Sequence, residues 1–339
     1  MRKRSKYQIS VALMLGFIFT IYAGSAVCAT AQIDKALKDQ IKKSIDRGLI
    51  WIKDQQKPDG SYENYPGITG LVVSAFIRSP RHYAEDDGLY IKNAVKYILS
   101  MVKPDGSIYD KDLQNYNTSV CAMALAETKN PAYKDIVQKA QKYIMSLQLD
   151  ESKGYTPDDK MYGGIGYGND LRPDMSNLKF SLEALKETGV SKDAAVWEKA
   201  IKFIEHCQNR SESNDQPWAG NDGGFVYRPG YSMAGSEGDR PRSYGTMTYN
   251  GILSFIYANV DKNDGRVQDA VKWIKGNYTL DENPPIGAQG LYYYYHTMSK
   301  ALSVYGEPII TDSNGVQHNW YEELARKLIS LQRPDGSWA

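Results

Sequence analysis

Apolar residues recur along this chain at helical spacing in two alternating kinds of stretch. The first kind keeps a polar face: Ile41, Ile45, Leu49 and Ile52, then Ile136, Ala140, Tyr143 and Leu147, then Val196, Ala200, Ile204 and Cys207, and at the end Tyr321, Leu324, Leu328 and Leu331. Lys, Asp and Glu fill the other side of each, the pattern of a helix with one buried face. The second kind, residues 68–77, 119–126, 178–185, 249–258 and 291–304, is apolar nearly all round, which fits helices buried on every side. The alternation predicts an all-α fold of two concentric layers, amphipathic helices outside and apolar ones inside. That is an α/α toroid, or an α-solenoid if the ring fails to close.

The joints between the two kinds repeat. Lys57-Pro58-Asp59-Gly60-Ser61, Lys103-Pro104-Asp105-Gly106-Ser107 and Arg333-Pro334-Asp335-Gly336-Ser337-Trp338 each end an outer helix. Proline ends the helix, Asp-Gly supplies a tight turn with a residue free to take positive φ, and serine can cap the next segment. Looser versions at Gln148, Gln208 and Asp281 bring the number of units to six. Six outer helices but only five inner ones are present, so the ring is one inner helix short. Either the chain is a fragment or the gap stays open.

Antiparallel alternation sends all inner helices the same way, so their N-termini gather at one mouth. Helix dipoles and free N–H groups make that mouth mildly positive. Residues at the starts of the inner helices are then candidates to line a site: Tyr65, Asn115, Tyr116, Asn117, Asp174, Asn177, Tyr244, Thr246, Tyr249, Tyr294, Tyr295 and His296. Insertions at 154–173 and 209–242 enlarge it, the second carrying Arg228, Arg240 and Arg242. The glycines from Gly163 to Gly168 follow no strand and read as loop, not as a dinucleotide fingerprint.

The first residues change the picture of where the protein works. Arg2-Lys3-Arg4, an apolar run from Ile9 to Val27 and Ala29-Thr30-Ala31 read as a secretory signal over 1–31, with an uncleaved membrane anchor as the alternative. The toroid occupies 32–339, exported to the periplasm or outside the cell. A net charge of +1 with no basic block past the signal implies neither nucleic acid nor an anionic membrane surface. Cys121 and Cys207 are expected as two buried thiols.

Through its repeated Gln-x-x-Pro-Asp-Gly-Ser-(Trp or Tyr), the chain from about residue 35 onward resembles the terpenoid-cyclase and protein-prenyltransferase toroid superfamily. The closest likeness is to small exported bacterial proteins known by their prenyltransferase and squalene-oxidase repeat. The resemblance implies a helical toroid around a central cavity. It does not fix an activity. Squalene-hopene cyclases protonate an alkene with Asp-x-Asp-Asp, and here Pro157-Asp158-Asp159 and Glu85-Asp86-Asp87 lack the first aspartate. Prenyltransferases hold zinc with Asp, Cys and His. Tyr295-His296-Thr297 matches the histidine segment, but Tyr244 and Thr246 stand where Asp and Cys belong, so neither zinc nor another cofactor is called for.

Three functions fit these residues. One is binding or transforming an isoprenoid-like ligand in the cavity. Another is a polysaccharide lyase, with Tyr or His as base and Asn117 and Arg242 neutralising a sugar carboxylate. The third is a non-catalytic glycan- or peptide-binding module. Tyr outnumbers Phe by 26 to 7, which favours a ligand that needs wet edges over a hydrocarbon. His296, with Tyr249 and Tyr295 beside it, is the expected proton-transfer group. Tyr116, Asn117, Asp174, Asn177, Tyr244, Arg242 and Tyr294 are expected to contact the ligand.

Overall fold

The computed structural model describes residues 33–168 and 172–338. The signal expected over 1–31 lies outside the described residues. Among the described residues eleven α-helices carry the fold: α1 Lys35–Asp54, α2 Pro66–Arg78, α3 Leu89–Ser100, α4 Gln114–Glu127, α5 Lys134–Ser146, α6 Met175–Glu187, α7 Ala195–His206, α8 Gly245–Tyr257, α9 Gly265–Gly276, α10 Leu291–Tyr305 and α11 Trp320–Leu331. The even-numbered helices are buried along nearly their whole length and pack side by side in the order α2, α4, α6, α8, α10. The odd-numbered helices bury one face against them. The chain is therefore an α/α toroid of alternating outer and inner helices. Its strands are two short antiparallel hairpins, Ser236–Glu237 with Arg240–Pro241 and Ile309–Thr311 with Gln317–Asn319.

The joints act through local hydrogen bonds. Asp59, Asp105 and Asp335 each accept from the backbone N–H and hydroxyl of the serine two residues on, and these bonds hold all three carboxyls below their ordinary range. The glutamine before the turn then reaches the next outer helix. Gln56 Nε2 donates to Tyr90 O at 2.6 Å, Gln148 Nε2 to Val196 O at 3.0 Å, and Gln208 Nε2 to Arg266 O at 2.8 Å.

The last joint makes the same contact with the first helix. Gln332 Nε2 donates to Ser44 O at 2.9 Å and Ser44 Oγ donates back to Gln332 Oε1 at 2.9 Å. Gly336, at φ +95°, lies so close to α1 that a Cβ there would stand 2.5 Å from Arg47 O, and the Trp338 ring covers Gly48. Among the described residues the inner layer has five helices, and the outer layer does not show the expected open gap. α11 closes onto α1, because the joint needs only a helix backbone to dock on, and α1 supplies it.

Candidate functional site

The inner helices were expected to be apolar all round, and at the axis of the toroid they are not. Arg78 at the end of α2 pairs with Glu127 of α4 and Glu187 of α6. Lys300 of α10 pairs with Glu183 of α6 and lies 3.9 Å from Glu187. Lys179 holds Glu183 at 3.2 Å from the other side, its ammonium 3.4 Å from the centre of the Phe180 ring. Six acidic and basic side chains thus alternate across four inner helices, and Arg78 and Lys300, from the two ends of the inner arc, meet on α6. Above them Leu71, Tyr116, Met123, Phe180 and His296 leave about 10 Å3, close to the room of a single water.

His296 faces this axis, stacked on Tyr293 with ring centres 6.3 Å apart, and is 4% exposed. Burial first, then Lys179 and Arg78, push its pKa well below the ordinary histidine range, so it is neutral. The tyrosines expected beside it point elsewhere. Tyr295 donates to Leu280 O at 2.5 Å, and Tyr249 is buried against Tyr294, whose hydroxyl donates to Thr279 O at 2.8 Å. One step along a helix turns a side chain by about 100°, whereas Tyr293 is three residues from His296 and shares its face. Tyr249, Tyr294 and Tyr295 therefore hold α8 and α10 to their surroundings, and Tyr293 is the tyrosine that meets the histidine.

At the N-terminal mouth the expected residues divide in two. Asn117 is consumed by structure: its Oδ1 accepts from Gly67 N at 2.7 Å and its Nδ2 donates to Asp112 O and Leu113 O. Thr246 binds Asn283, and Arg242 is an exposed residue following the 236–241 hairpin, engaged through its backbone with Gly235 and Ser232. Asn115 anchors the glycine-rich loop, its backbone N–H and side-chain amide donating to Tyr167 O and Gly166 O at 2.9 Å each.

Tyr65 donates its hydroxyl to Asp112, and the others lie near three tyrosines from the insertions. Asp174 caps α6, accepting from Asn177 N at 3.0 Å and Asn177 Nδ2 at 2.7 Å. Burial pushes its carboxyl up to about 6 against those hydrogen bonds, which pull it down. The Tyr227 hydroxyl lies 3.4 Å from that of Tyr167, and the Tyr227 ring meets Tyr231 edge-on at 6.4 Å. Burial, and after it the charges that Tyr293 and Asp174 can carry, raise the pKa of Tyr244. Tyr293 stacks on Phe180 at 6.3 Å, and Phe180 meets Tyr116 at 5.0 Å. Tyr167 and Tyr231 are exposed, 36% and 44%, so the cluster runs from solvent down to the axis.

Burial raises the pKa of Tyr116, Tyr167, Tyr227 and Tyr244 alike. None of these four phenols is poised to give up its proton near neutrality. Among the described residues no group of three or more His, Cys, Asp or Glu side chains is placed to hold a metal ion, and no helix is long and apolar enough to cross a membrane. Cys121 and Cys207 are buried free thiols with raised pKa values.

Reasoning from sequence missed the six charged residues at the axis and the role of Tyr167 and Tyr227. Lys179 and Glu183, four residues apart in an otherwise apolar helix, were the available signal for the first. No signal marked the second, since both tyrosines sit in irregular loops.

No family model matches the chain. Over 156 residues it is 26% identical to lanosterol synthase erg7A of Aspergillus fumigatus, a stretch that is 40% of this chain and 21% of that enzyme. The chain thus spans about a fifth of the length of this curated relative. Among solved structures it is similar to the type II terpene cyclase MstE from Scytonema in its apo form, at 14% identity and a TM-score of 0.41, covering 97% of this chain and 71% of that one. A variant of the same cyclase holding geranylgeranyl dihydroxybenzoate as substrate gives a TM-score of 0.44 at 14% identity, covering 97% and 70%. These likenesses are to terpenoid cyclases, the superfamily whose repeats this chain resembles. The toroid itself rests on the two helical layers of the chain.

Proposed function

We propose that the protein is a binding module that takes a glycan at the tyrosine-lined mouth of its toroid. The observation that carries this reading is the contrast along the axis. Charged side chains from four inner helices meet at the axis, an unfavourable lining for a hydrocarbon chain. The mouth instead offers the rings of Tyr167, Tyr227 and Tyr231, each with a hydroxyl at its edge. Such rings suit the face of a sugar, apolar in its middle and polar around its rim. Catalysis is not needed to account for the cluster, whose phenols are held protonated and whose histidine is neutral and sunk at the axis. Export, read from the first 31 residues, belongs to the same proposal and would place the mouth among envelope or extracellular glycans.

The test is calorimetric titration of the protein with neutral and charged oligosaccharides and, in parallel, with a geranylgeranyl compound in detergent. Oligosaccharide binding weakened about tenfold by Tyr231→Ala would support the reading, a loss in the range of one aromatic contact. Binding of the geranylgeranyl compound with none of the oligosaccharides would overturn it in favour of an isoprenoid ligand.

A further inference from the structure

His206 is the last residue of α7, its side chain is buried, and it touches both insertions that build the mouth. Its Nδ1 lies 3.2 Å from Lys160 O in the first insertion, and its Nε2 lies 3.5 Å from an Asp215 carboxylate oxygen in the second. Both ring nitrogens thus face acceptors, and only the imidazolium has a proton for each. Among the described residues the ring has no other hydrogen-bond or ion-pair partner. The charges next to it in the chain are engaged elsewhere, Glu205 with Lys202 and Arg266, and Arg210 with Glu212 and Asp269.

The contact reaches the mouth through Trp218. Asn214 donates its side-chain amide to His206 O at 3.2 Å and Gln208 O at 2.8 Å, which brings the start of the second insertion back against the end of α7. Gly230, at φ +74°, faces the Trp218 indole, since a Cβ there would stand 3.7 Å from the ring. Gly230 belongs to the turn in which Tyr231 N donates to Arg228 O at 2.9 Å, so Trp218 seats the turn that presents Tyr231. The Lys160 ammonium, 5.7 Å from the centre of the same indole, joins the first insertion to that point.

We propose that His206 is a proton-operated clasp of the mouth. As imidazolium it holds the two insertions together, and on losing its proton it releases one of them, so the mouth binds its ligand more tightly in mildly acidic than in alkaline solution. The effect on the ligand rests on the glycan reading, whereas the clasp itself does not.

The release follows from the chemistry of the ring. Neutral imidazole has one N–H and one lone pair. With the proton on Nδ1, for Lys160 O, the Nε2 lone pair is turned on the Asp215 carboxylate, and with the proton on Nε2 the Nδ1 lone pair is turned on the Lys160 carbonyl. Either tautomer sets acceptor against acceptor and costs the clasp one arm. Asp215 is the arm that lets go, because its side chain is 69% exposed and takes water in place of the ring. Histidine changes charge between pH 5 and 8, the interval in which such a clasp works.

The test compares the protein with His206→Gln and Asp215→Asn at pH 6 and pH 8.5, by amide hydrogen exchange over residues 211–231 and by titration with oligosaccharides. Glutamine still donates to Lys160 O but carries no charge at either pH, and circular dichroism verifies that both variants fold. Exchange rates are corrected for their intrinsic dependence on pH. Asp174 changes charge in the same interval in the parent and in the variants alike, so the readout is the difference between the proteins. On going from pH 6 to pH 8.5, protection over 211–231 and affinity for the oligosaccharide should each fall about threefold to fivefold further in the unchanged protein than in His206→Gln, the range of one partly exposed ion pair. Asp215→Asn should lie between the two. If exchange responds to pH equally in the protein and in His206→Gln, there is no clasp and the proposal is overturned. If exchange differs but affinity does not, the clasp does not govern the mouth, which overturns the proposal as well. If no oligosaccharide binds at either pH, it is the glycan reading that fails, and the exchange comparison alone upholds or overturns the clasp.

Discussion

At the axis of the toroid Glu127, Glu183 and Glu187 each lie against a basic side chain, whereas at the mouth Asp174 is buried and hydrogen-bonded to Asn177. The difference teaches what each region is for. Matched charges crossing four helices fix how those helices sit. A carboxyl whose burial outweighs its hydrogen bonds holds its proton to a higher pH than usual.

The largest effect should come from breaking the matched region. Arg78→Ala takes from the part-buried Glu127 and Glu187 the guanidinium they share, and loss of one member of a buried ion pair costs about 3–5 kcal/mol. Replacing a whole pair, Lys179→Met with Glu183→Leu, should cost far less, because no charge is stranded. Urea unfolding of the two variants measures this. If Arg78→Ala costs under about 1 kcal/mol, the axis is wetter than its burial implies and the contrast with the mouth dissolves.

The mouth should answer to pH instead. Folding raises the Asp174 pKa from its ordinary 3.8 to about 6. The folded state then holds a proton that the unfolded state has lost, so the stability contributed by the neutral carboxyl is full below about pH 4 and disappears as pH rises through about 6. The span amounts to roughly 2–3 kcal/mol at 1.36 kcal/mol per unit. Asp174→Asn removes this slope, so unfolding midpoints of the two proteins, compared from pH 4 to 7, should diverge below pH 6. Parallel curves would mean that the carboxyl is already charged and compensated, in direct conflict with an unmatched mouth.

How much of this was legible depends on distance along the chain. The joints were readable because each is made by bonds within a few residues, Asp59 to Ser61 and Asp335 to Ser337, and the two-layer plan came from the helical period between them. Asp174 and Asn177 stood out as polar residues at the start of an apolar helix. The contact of the last outer helix with the first was not legible, since nothing near Gln332 announces that Ser44, 288 residues away, will receive it. The ionic axis was hidden for the same reason: Arg78 lies 49 residues from Glu127 and 109 from Glu187. Four successive tyrosines could be seen to surround a helix turn, but which one met His296 was set by the packing of α10 against its neighbours.

The smallest expected effect concerns His296, which belongs to the matched region by position but carries no charge. Its pKa is depressed by burial and by Lys179 and Arg78, so below its ordinary value of 6.5 the unfolded state takes up a proton that the folded state refuses. That contribution to stability is present above about pH 6.5 and is lost as pH falls, opposite in sign to the one at Asp174. His296→Gln keeps most of the volume and removes the ionisation, so its unfolding midpoint should match the parent's near pH 7.5 to within about 1 kcal/mol and fall less steeply toward pH 5. In the folded parent the imidazole proton resonances should stay at their neutral positions from pH 8 down to pH 5. An imidazole that titrates near 6.5 in the folded protein would put His296 in contact with water, open the axis to solvent, and return this residue to the list of groups able to move a proton for a ligand.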